Sequence, residues 1–515
     1  MQGFTWIDLL ILVVYLAAVL VAGLLFAKKD MQGKEYFKGD GTIPWWVTSV
    51  SIFATLLSPI SFLSLAGNSY AGTWIMWFAQ LGMLIAIPLT IRYFLPVYAK
   101  LDIDTAYHYL QLRFGSRGLR ILGAVMFIVY QIGRMSIIMY LPCMVLGALT
   151  GINTNILIIV MGVIAIIYSY SGGLKSVLWT DFIQGSVLIV GVLFCLFYLL
   201  TQLSGGVGDI ANAFFTEHKF LAPDQPIFDA NLLRDSVFLM IFGAGLNTMG
   251  SYVSSQDIVQ RFTTTTDTKK LNKMMRTNGY LSIGIATAFY LIGTALYVFY
   301  QQNPLPPFAE RDQIFASFIA FQLPVGVTGL LLAAIYAAAQ STLSTGLNSV
   351  ASSWALDIQS QLSKRELSFK EETRIGQWVS LGVGVFSIVV AIVLANGSIT
   401  SAYEWFNGFM GLVLGILVGI FILGVFFKSS NAFGAYCGFA ASAAVMIMVK
   451  YFATDVSIWS YSLISIAVCL AVGLPASWLW RRLGHDTKEA PAWTTYPDFS
   501  KARKEARTAS SASKA

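Results

Sequence analysis

The 515-residue sequence predicts an all-α polytopic membrane protein, and three observations predict it: composition, the length of its apolar runs and the distribution of Lys and Arg. Of the residues, 56% are apolar and 11% charged, less than half the charged share usual in soluble domains. Runs of about 20 apolar residues recur along nearly the whole chain, each long enough to cross a hydrocarbon core roughly 30 Å thick. Most lack the polar face at helical spacing that a helix of a soluble core needs.

The runs predict thirteen spans, at roughly 5–27, 45–71, 73–99, 119–149, 153–171, 175–203, 235–255, 274–302, 326–357, 374–396, 402–428, 431–451 and 457–480. The first is too long and too poorly flanked for a cleaved signal peptide, so it reads as a retained, extra helix. An odd number puts the termini on opposite sides, and Lys and Arg decide which is which. They gather in every second loop: Lys28, Lys29, Lys34 and Lys38; Lys100, Arg113, Arg117 and Arg120; Lys175; Arg261, Lys269, Lys270, Lys273 and Arg276; Lys364, Arg365, Lys370 and Arg374; Lys428; Arg481 and Arg482. The short loops Gly67–Thr73, Gly151–Asn153 and Asn396–Thr400 have none. The amino terminus is therefore expected outside and the carboxyl terminus in the cytoplasm. Lys450 runs mildly against the pattern, and Lys219, Arg234 and Arg311 fall on longer outer loops, where the rule weakens.

The chain accordingly divides into an extra helix with its cytoplasmic loop (1–44), a first set of five spans (45–203), an external loop and second set of five (204–428), two C-terminal helices (429–482) and a cytoplasmic tail (483–515). The net charge of +7 follows from the inward bias plus the basic stretch Lys501–Lys514, whose Ser/Ala-rich composition is that of a solvated, disordered segment. It requires no nucleic-acid partner, and no obligate protein partner is evident. Cys143, Cys195, Cys437 and Cys469 lie inside apolar runs without paired spacing and read as buried small hydrophobes. His108, His218 and His485 are scattered. No metal cluster or nucleophile–histidine pair can be argued, so catalysis is not expected.

In the second span, SIFATLLSPISFLSL, Pro59 removes a backbone donor while Ser58 and Ser61 can satisfy neighbouring groups. A helix broken there leaves carbonyls free to hold a cation, an arrangement tolerated only beside a cavity; a kink that merely shapes packing is the plainer reading. In the seventh span, GAGLNTMGS (residues 243–251) interrupts an apolar helix with three glycines and Asn247. With the first span set aside, the two interruptions open the first helix of successive five-span sets, the placement expected of a five-plus-five inverted repeat with its site at the midplane. In the ninth span, Ser341, Ser344 and Thr345 share one helix face at i, i+3 and i+4, and Thr342 adjoins them. These hydroxyls suit either Na⁺ or interhelical hydrogen bonds. Asp181 lies about two turns inside the sixth span, with no Lys or Arg of that span near enough to neutralise it; a bound cation would do so, a protonated or snorkelling carboxyl being the plainer alternative. Arg134, near the middle of the fourth span, should face the cavity or a buried acid, and its fork suits a carboxylate. Arg92, near a cytoplasmic end, is expected to snorkel.

The segments YSYSGGLKSVLWTDFIQG, SSQDIVQRF and AAIYAAAQSTLSTGLNS resemble the sodium:solute symporter family, and the resemblance spans nearly the entire chain. FATLLSPISF, the region of Gln80 and YQIGRMSIIMYL are similar to the bacterial sodium–sialic acid symporters of that family; sodium–galactose members place an acidic residue where this chain has Gln80. The resemblance implies a LeuT-type core formed by spans two to eleven in a bacterial plasma membrane, with sodium-coupled import of N-acetylneuraminate. It implies a first Na⁺ site from the carbonyls of Ala54, Leu57 and Ala338 with the hydroxyls of Ser341 and Thr342. A second would use Asp181, Ser341, Ser344 and Thr345, and the implied solute contacts are Ser58, Ser61, Gln80, Arg134, Asn247 and Thr248. This sequence departs from the pattern at Leu56, where the sialic acid carriers have Thr, at Asn247, one residue before the family's usual Asn, and at Met76, which replaces an aromatic. Symport of another small carboxylate, amino acid or sugar (proline, pantothenate, galactose) and a solute sensor built like a transporter are the alternatives.

Overall fold

The computed structural model describes residues 5–26, 34–39, 41–229, 231, 234–305, 311, 313–363, 365–397, 402–453, 455–485, 490–502 and 505. The expected cytoplasmic charges Lys28, Lys29 and Lys364, the outer loop at 398–400 and the tail from 506 lie outside them. Among the described residues every regular element is helical.

Helix α1 (Trp6–Phe26) leads into the second expected span, which is two helices, α2 (Trp45–Leu56) and α3 (Pro59–Ala71), bent by 62°. Pro59 accounts for the break. It has no N–H to donate to the Thr55 carbonyl, and its ring would collide with that carbonyl in a continuous helix. Leu57 and Ser58 between the halves are extended. There follow α4 (Trp74–Leu101), the short α5 (Ala106–Phe114), α6 (Arg117–Thr150), α7 (Thr154–Ile167) and α8 (Gly173–Gln202). The chain turns between α7 and α8 at Gly173, whose φ of 56° suits glycine; a Cβ there would lie 2.8 Å from the Tyr36 carbonyl oxygen. The remaining helices are α9 (Val207–Phe215), α10 (Val237–Ser254), α11 (Gln256–Phe262), α12 (Thr268–Gln302), α13 (Ile314–Phe321), α14 (Val327–Ser352), α15 (Phe369–Ala395), α16 (Ala402–Phe426), α17 (Ala432–Phe452) and α18 (Tyr461–Arg482).

Among the described residues eleven helices are long and apolar enough to cross a bilayer, or twelve with the bent α2–α3 pair counted as one span. The fifth of the thirteen expected spans corresponds to α7, whose backbone stays helical as far as the turn at Gly173.

The second expected interruption is displaced. α10 runs without a break through GAGLNTMGS to Ser254, and the helix is broken at Ser255 (φ −88°, ψ 116°), where α11 begins. The glycines serve close packing instead. A Cβ on Gly243 would sit 2.2 Å from the Trp459 carbonyl oxygen, and one on Gly250 2.5 Å from the Val418 side chain. Two of the carbonyls at the real break are taken by tyrosines: Tyr98 donates to the Val253 oxygen (2.7 Å) and Tyr107 to the Ser254 oxygen (2.9 Å).

α14 is the central helix, with every residue but Val327 and Leu330 buried. It packs against α8, α1, α6, α15 and α2, and its Ala, Ser, Thr and Gly residues let those backbones approach. α12 runs along both halves of the broken α2–α3 pair, while α17 and α18 pair with each other and against α16.

The extra helix α1 is tied to α14 by a charge. The buried Asp8 carboxylate accepts the N–H groups of Gly326 (2.8 Å) and Gly329 (2.9 Å) at the start of α14, where the helix dipole favours an anion. Asp8→Ala strands both donors and is expected to lower stability by about 1–3 kcal/mol, read as a fall in the thermal midpoint of the purified protein. An unchanged midpoint would mean that α1 is held by apolar packing alone.

Candidate functional site

At the first break, the carbonyls that α2 can no longer bond within itself have different fates. The Phe53 oxygen accepts the Leu57 N–H (2.9 Å), and the Thr55 oxygen accepts Arg134 Nη2 (2.5 Å). The Ala54 and Leu57 carbonyls accept no hydrogen bond from any described residue. Against this break lies α14, where Thr342 Oγ1 donates to the Ala338 oxygen (3.0 Å) and stands 3.5 Å from the Thr55 oxygen. The Ser341 hydroxyl is buried with no partner. An unpaired buried hydroxyl is costly, so the residues expected at the first ion site include three oxygens with coordination capacity to spare.

Beside them Asp181, fully buried in α8, accepts through Oδ2 from Ser51 (2.6 Å), Thr345 (3.1 Å) and Arg261 Nη2 (2.7 Å), while Oδ1 has no partner. Ser344 turns its hydroxyl to its own helix, donating to the Ser341 carbonyl (3.0 Å). Arg261 corrects the expectation drawn from charge. It is no cytoplasmic loop charge: α11 carries it into the interior, fully buried, where it also reaches Thr345 Oγ1 (2.6 Å), Ser51 Oγ (2.9 Å) and the Asp257 carbonyl. Asp181 therefore has a cationic partner from another helix and does not depend on a bound ion for neutrality.

A cavity opens against the break. Of the expected solute contacts, Ser61, Gln80, Arg134, Asn247 and Thr248 line it, together with Leu56, Tyr130, Ser251, Asp257, Ser282, Phe406 and Trp459. Ser58 does not; it is buried at the break itself. Asn247 Oδ1 already accepts from Ser462 of α18 (3.2 Å). Arg134 pairs through Nη1 with the buried carboxylate of Asp257, and its Nε is buried without a partner. The N-terminus of α3 faces the same junction uncapped, since Ser58 makes no side-chain bond to it, and helix N-termini attract anions.

The two residues of the site that sequence reasoning did not place there are Asp257 and Arg261. Both lie in SSQDIVQRF, at i and i+4 of α11; an acidic and a basic residue immediately after an apolar run was the available signal. Together Arg134, Asp257, Arg261 and Asp181 form a buried chain of alternating charge with zero net charge. Beyond α11, Gln256 Oε1 accepts the Ala106 N–H (2.8 Å), Gln260 donates to Asn348 (2.9 Å), and Arg120 and Asp357 form a buried pair (2.6 Å).

Two broken helices around a cavity lined by both polar and apolar side chains are the arrangement of a secondary carrier of the membrane. The model of the sodium:solute symporter family matches residues 36–441, and the chain belongs to that family. It is 34% identical over 474 residues to the sodium/sialic acid symporter SiaT of Proteus mirabilis, covering 92% of this chain and 95% of that protein. It is 31% identical over 474 residues to the sodium/sialic acid symporter NanT of Aliivibrio fischeri, covering 92% and 93%. Among solved structures it is similar to the substrate-bound outward-open state of a Na⁺-coupled sialic acid symporter, with a TM-score of 0.85, 33% identity and coverage of 92% of this chain and 98% of that one. The fold is thus of the LeuT type, in a multi-pass protein of the plasma membrane.

Proposed function

We propose that the protein imports sialic acid (N-acetylneuraminate) with sodium by alternating access, taking two Na⁺ per solute. The observation that carries the ion coupling is the set of unpaired oxygens where α2, α8 and α14 meet: the Ala54 and Leu57 carbonyls, the Ser341 hydroxyl and Asp181 Oδ1. The first ion takes the carbonyls of Ala54, Leu57 and Ala338 with the hydroxyls of Ser341 and Thr342. The second takes Asp181 Oδ1 with Ser341, Ser344 and Thr345, while Oδ2 stays on Arg261. Because the Arg134–Asp257–Arg261–Asp181 chain is neutral, each ion adds a full positive charge to the site, and a bound carboxylate offsets one of them.

The names of the similar proteins supply the solute, and the cavity suits it. A carboxylate at the uncapped start of α3 meets the helix dipole and the spare Nε–H of Arg134, while Ser61, Gln80 and Thr248 offer hydrogen bonds to a polyhydroxylated ring. Asn247 joins them once released from Ser462. A tenfold sodium gradient supplies about 1.4 kcal/mol per ion, and each net charge moved adds roughly 2.3 kcal/mol per 100 mV; two Na⁺ with one sialate carry a net positive charge inward. In this reading α7 completes thirteen spans, residues 45–203 and 204–428 hold the inverted repeats, and the amino terminus is outside.

The test is uptake of labelled N-acetylneuraminate into proteoliposomes, with and without an inward sodium gradient, in the presence of excess proline, pantothenate or galactose. Sodium-driven accumulation that resists all three is the expected result. Displacement by one of them would reassign the solute and point first to Leu56, which lines the cavity where the sialic acid carriers have Thr. Binding without accumulation would make the protein a sensor.

A further inference from the structure

A second groove lies on the outer surface of the bundle, between α4 and α12, with a volume of about 390 Å³. Leu84 and Ile87 of α4 and Ile283 of α12 form its walls, and Arg92 and Arg276 stand at one end beside Tyr280. Its floor is tight: a Cβ on Gly279 would lie 2.2 Å from Ile87 Cδ1. Its mouth is open to the bilayer, with Leu84 58% and Tyr280 75% exposed. Pro88 has no N–H, so the Leu84 carbonyl on this face lacks its helical donor, and a π-helical turn at Thr90–Phe94 follows. Neither arginine makes an ion pair with a described carboxylate; Arg92 lies against Tyr93, 5.5 Å from its ring centre, and beside Tyr496, which leaves its charge uncompensated.

We propose that this groove is a binding site for an anionic glycerophospholipid of the cytoplasmic leaflet. An apolar trough ending in two guanidiniums matches an acyl chain ending in a phosphate diester. The arginines come from the exit of one span and the entry of another, so they sit at the same depth on neighbouring helices. Guanidinium forks suit phosphate oxygens, and basic pockets between helices on the cytoplasmic side select anionic headgroups. The leaflet rests on the sidedness proposed above. Because Met83 lines both this groove and the solute cavity, a bound lipid would brace the wall of α4 that faces the cavity.

The full chain is equilibrated with vesicles of phosphatidylcholine and phosphatidylglycerol, solubilised, purified, and its retained lipid counted by mass spectrometry. The wild type should retain phosphatidylglycerol over phosphatidylcholine. Arg92→Gln/Arg276→Gln should lower that preference roughly tenfold or more, and Leu84→Trp, which fills the groove with both charges in place, should also lose the lipid. Unaltered retention in either variant, or displacement by excess inorganic phosphate, would overturn the proposal. Arg276→Cys labelled by a membrane-impermeant thiol reagent should react only from the cytoplasmic face; reaction from outside would overturn the leaflet. Neither readout uses solute uptake, so failure of the sialate reading is separately visible.

Discussion

Sodium-driven uptake by the charge-compensated variant Asp181→Asn/Arg261→Gln is expected to lose its sigmoidal dependence on sodium and become hyperbolic, with one charge fewer moved per solute. Asp181→Asn alone confounds two effects. It removes an ion ligand, and it leaves the Arg261 guanidinium fully buried, hydrogen-bonded to hydroxyls and a backbone carbonyl, with the nearby Asp257 carboxylate already paired to Arg134. Breaking a buried pair by removing one partner costs about 3–5 kcal/mol, so the single variant should unfold at a markedly lower temperature and carry little solute. The double variant restores neutrality and recovers much of that stability. If Asp181 Oδ1 holds the second ion, cooperativity stays lost even where folding is restored. A double variant with the wild-type sodium curve would remove Asp181 from the ion site and leave it as the counter-ion of Arg261.

Arg134→Lys is expected to weaken sialate uptake by about ten- to a hundredfold in half-saturation while the protein still folds. The lysine keeps the charge opposite Asp257, so the buried carboxylate is not stranded. One ammonium cannot span what the guanidinium spans, which is Asp257 through Nη1, the Thr55 carbonyl through Nη2, and a spare Nε–H for the solute. Losing one or two hydrogen bonds to charged groups is worth about 1.5–3 kcal/mol, and 1.4 kcal/mol is tenfold. The Thr55 carbonyl flanks the free Ala54 oxygen, so the sodium curve should shift in the same variant. Arg134→Ala, by contrast, strands Asp257 and should fail at folding. Equal sialate half-saturation in the wild type and Arg134→Lys would assign Arg134 to structure alone and move solute recognition to the α3 terminus and Gln80.

The membrane class, most of the spans and the first break were legible because they depend on local chemistry. A run of apolar residues declares a span wherever it ends up. Pro59 breaks α2 from α3 by a missing N–H and a clash four residues back, which needs no knowledge of the neighbours. The hydroxyl face of Ser341, Ser344 and Thr345 follows from helical spacing alone. The glycines of GAGLNTMGS misled for the converse reason. Glycine is compatible with a break and equally with a close crossing, and only the positions of Trp459 and Val418 decide between them. The chain instead breaks at Ser255, which no Gly or Pro marks.

What the sequence by itself determined is therefore the class of molecule, the order of its helices and the oxygen-bearing faces that meet at α14. What only the tertiary structure decided is which charges are paired. Arg261 and Arg120 were counted with loop charges, yet Arg261 neutralises Asp181 from a helix 80 residues away in sequence, and Arg120 neutralises Asp357 across 237 residues. Electrostatic energy depends on separation in space and on burial, and neither is a property of spacing along a chain. In a low-dielectric interior a charge takes whichever partner the fold brings within 3 Å, so the pairing of Arg134 with Asp257, and with it the electrostatics of the cavity, appears only when α6 and α11 are packed together.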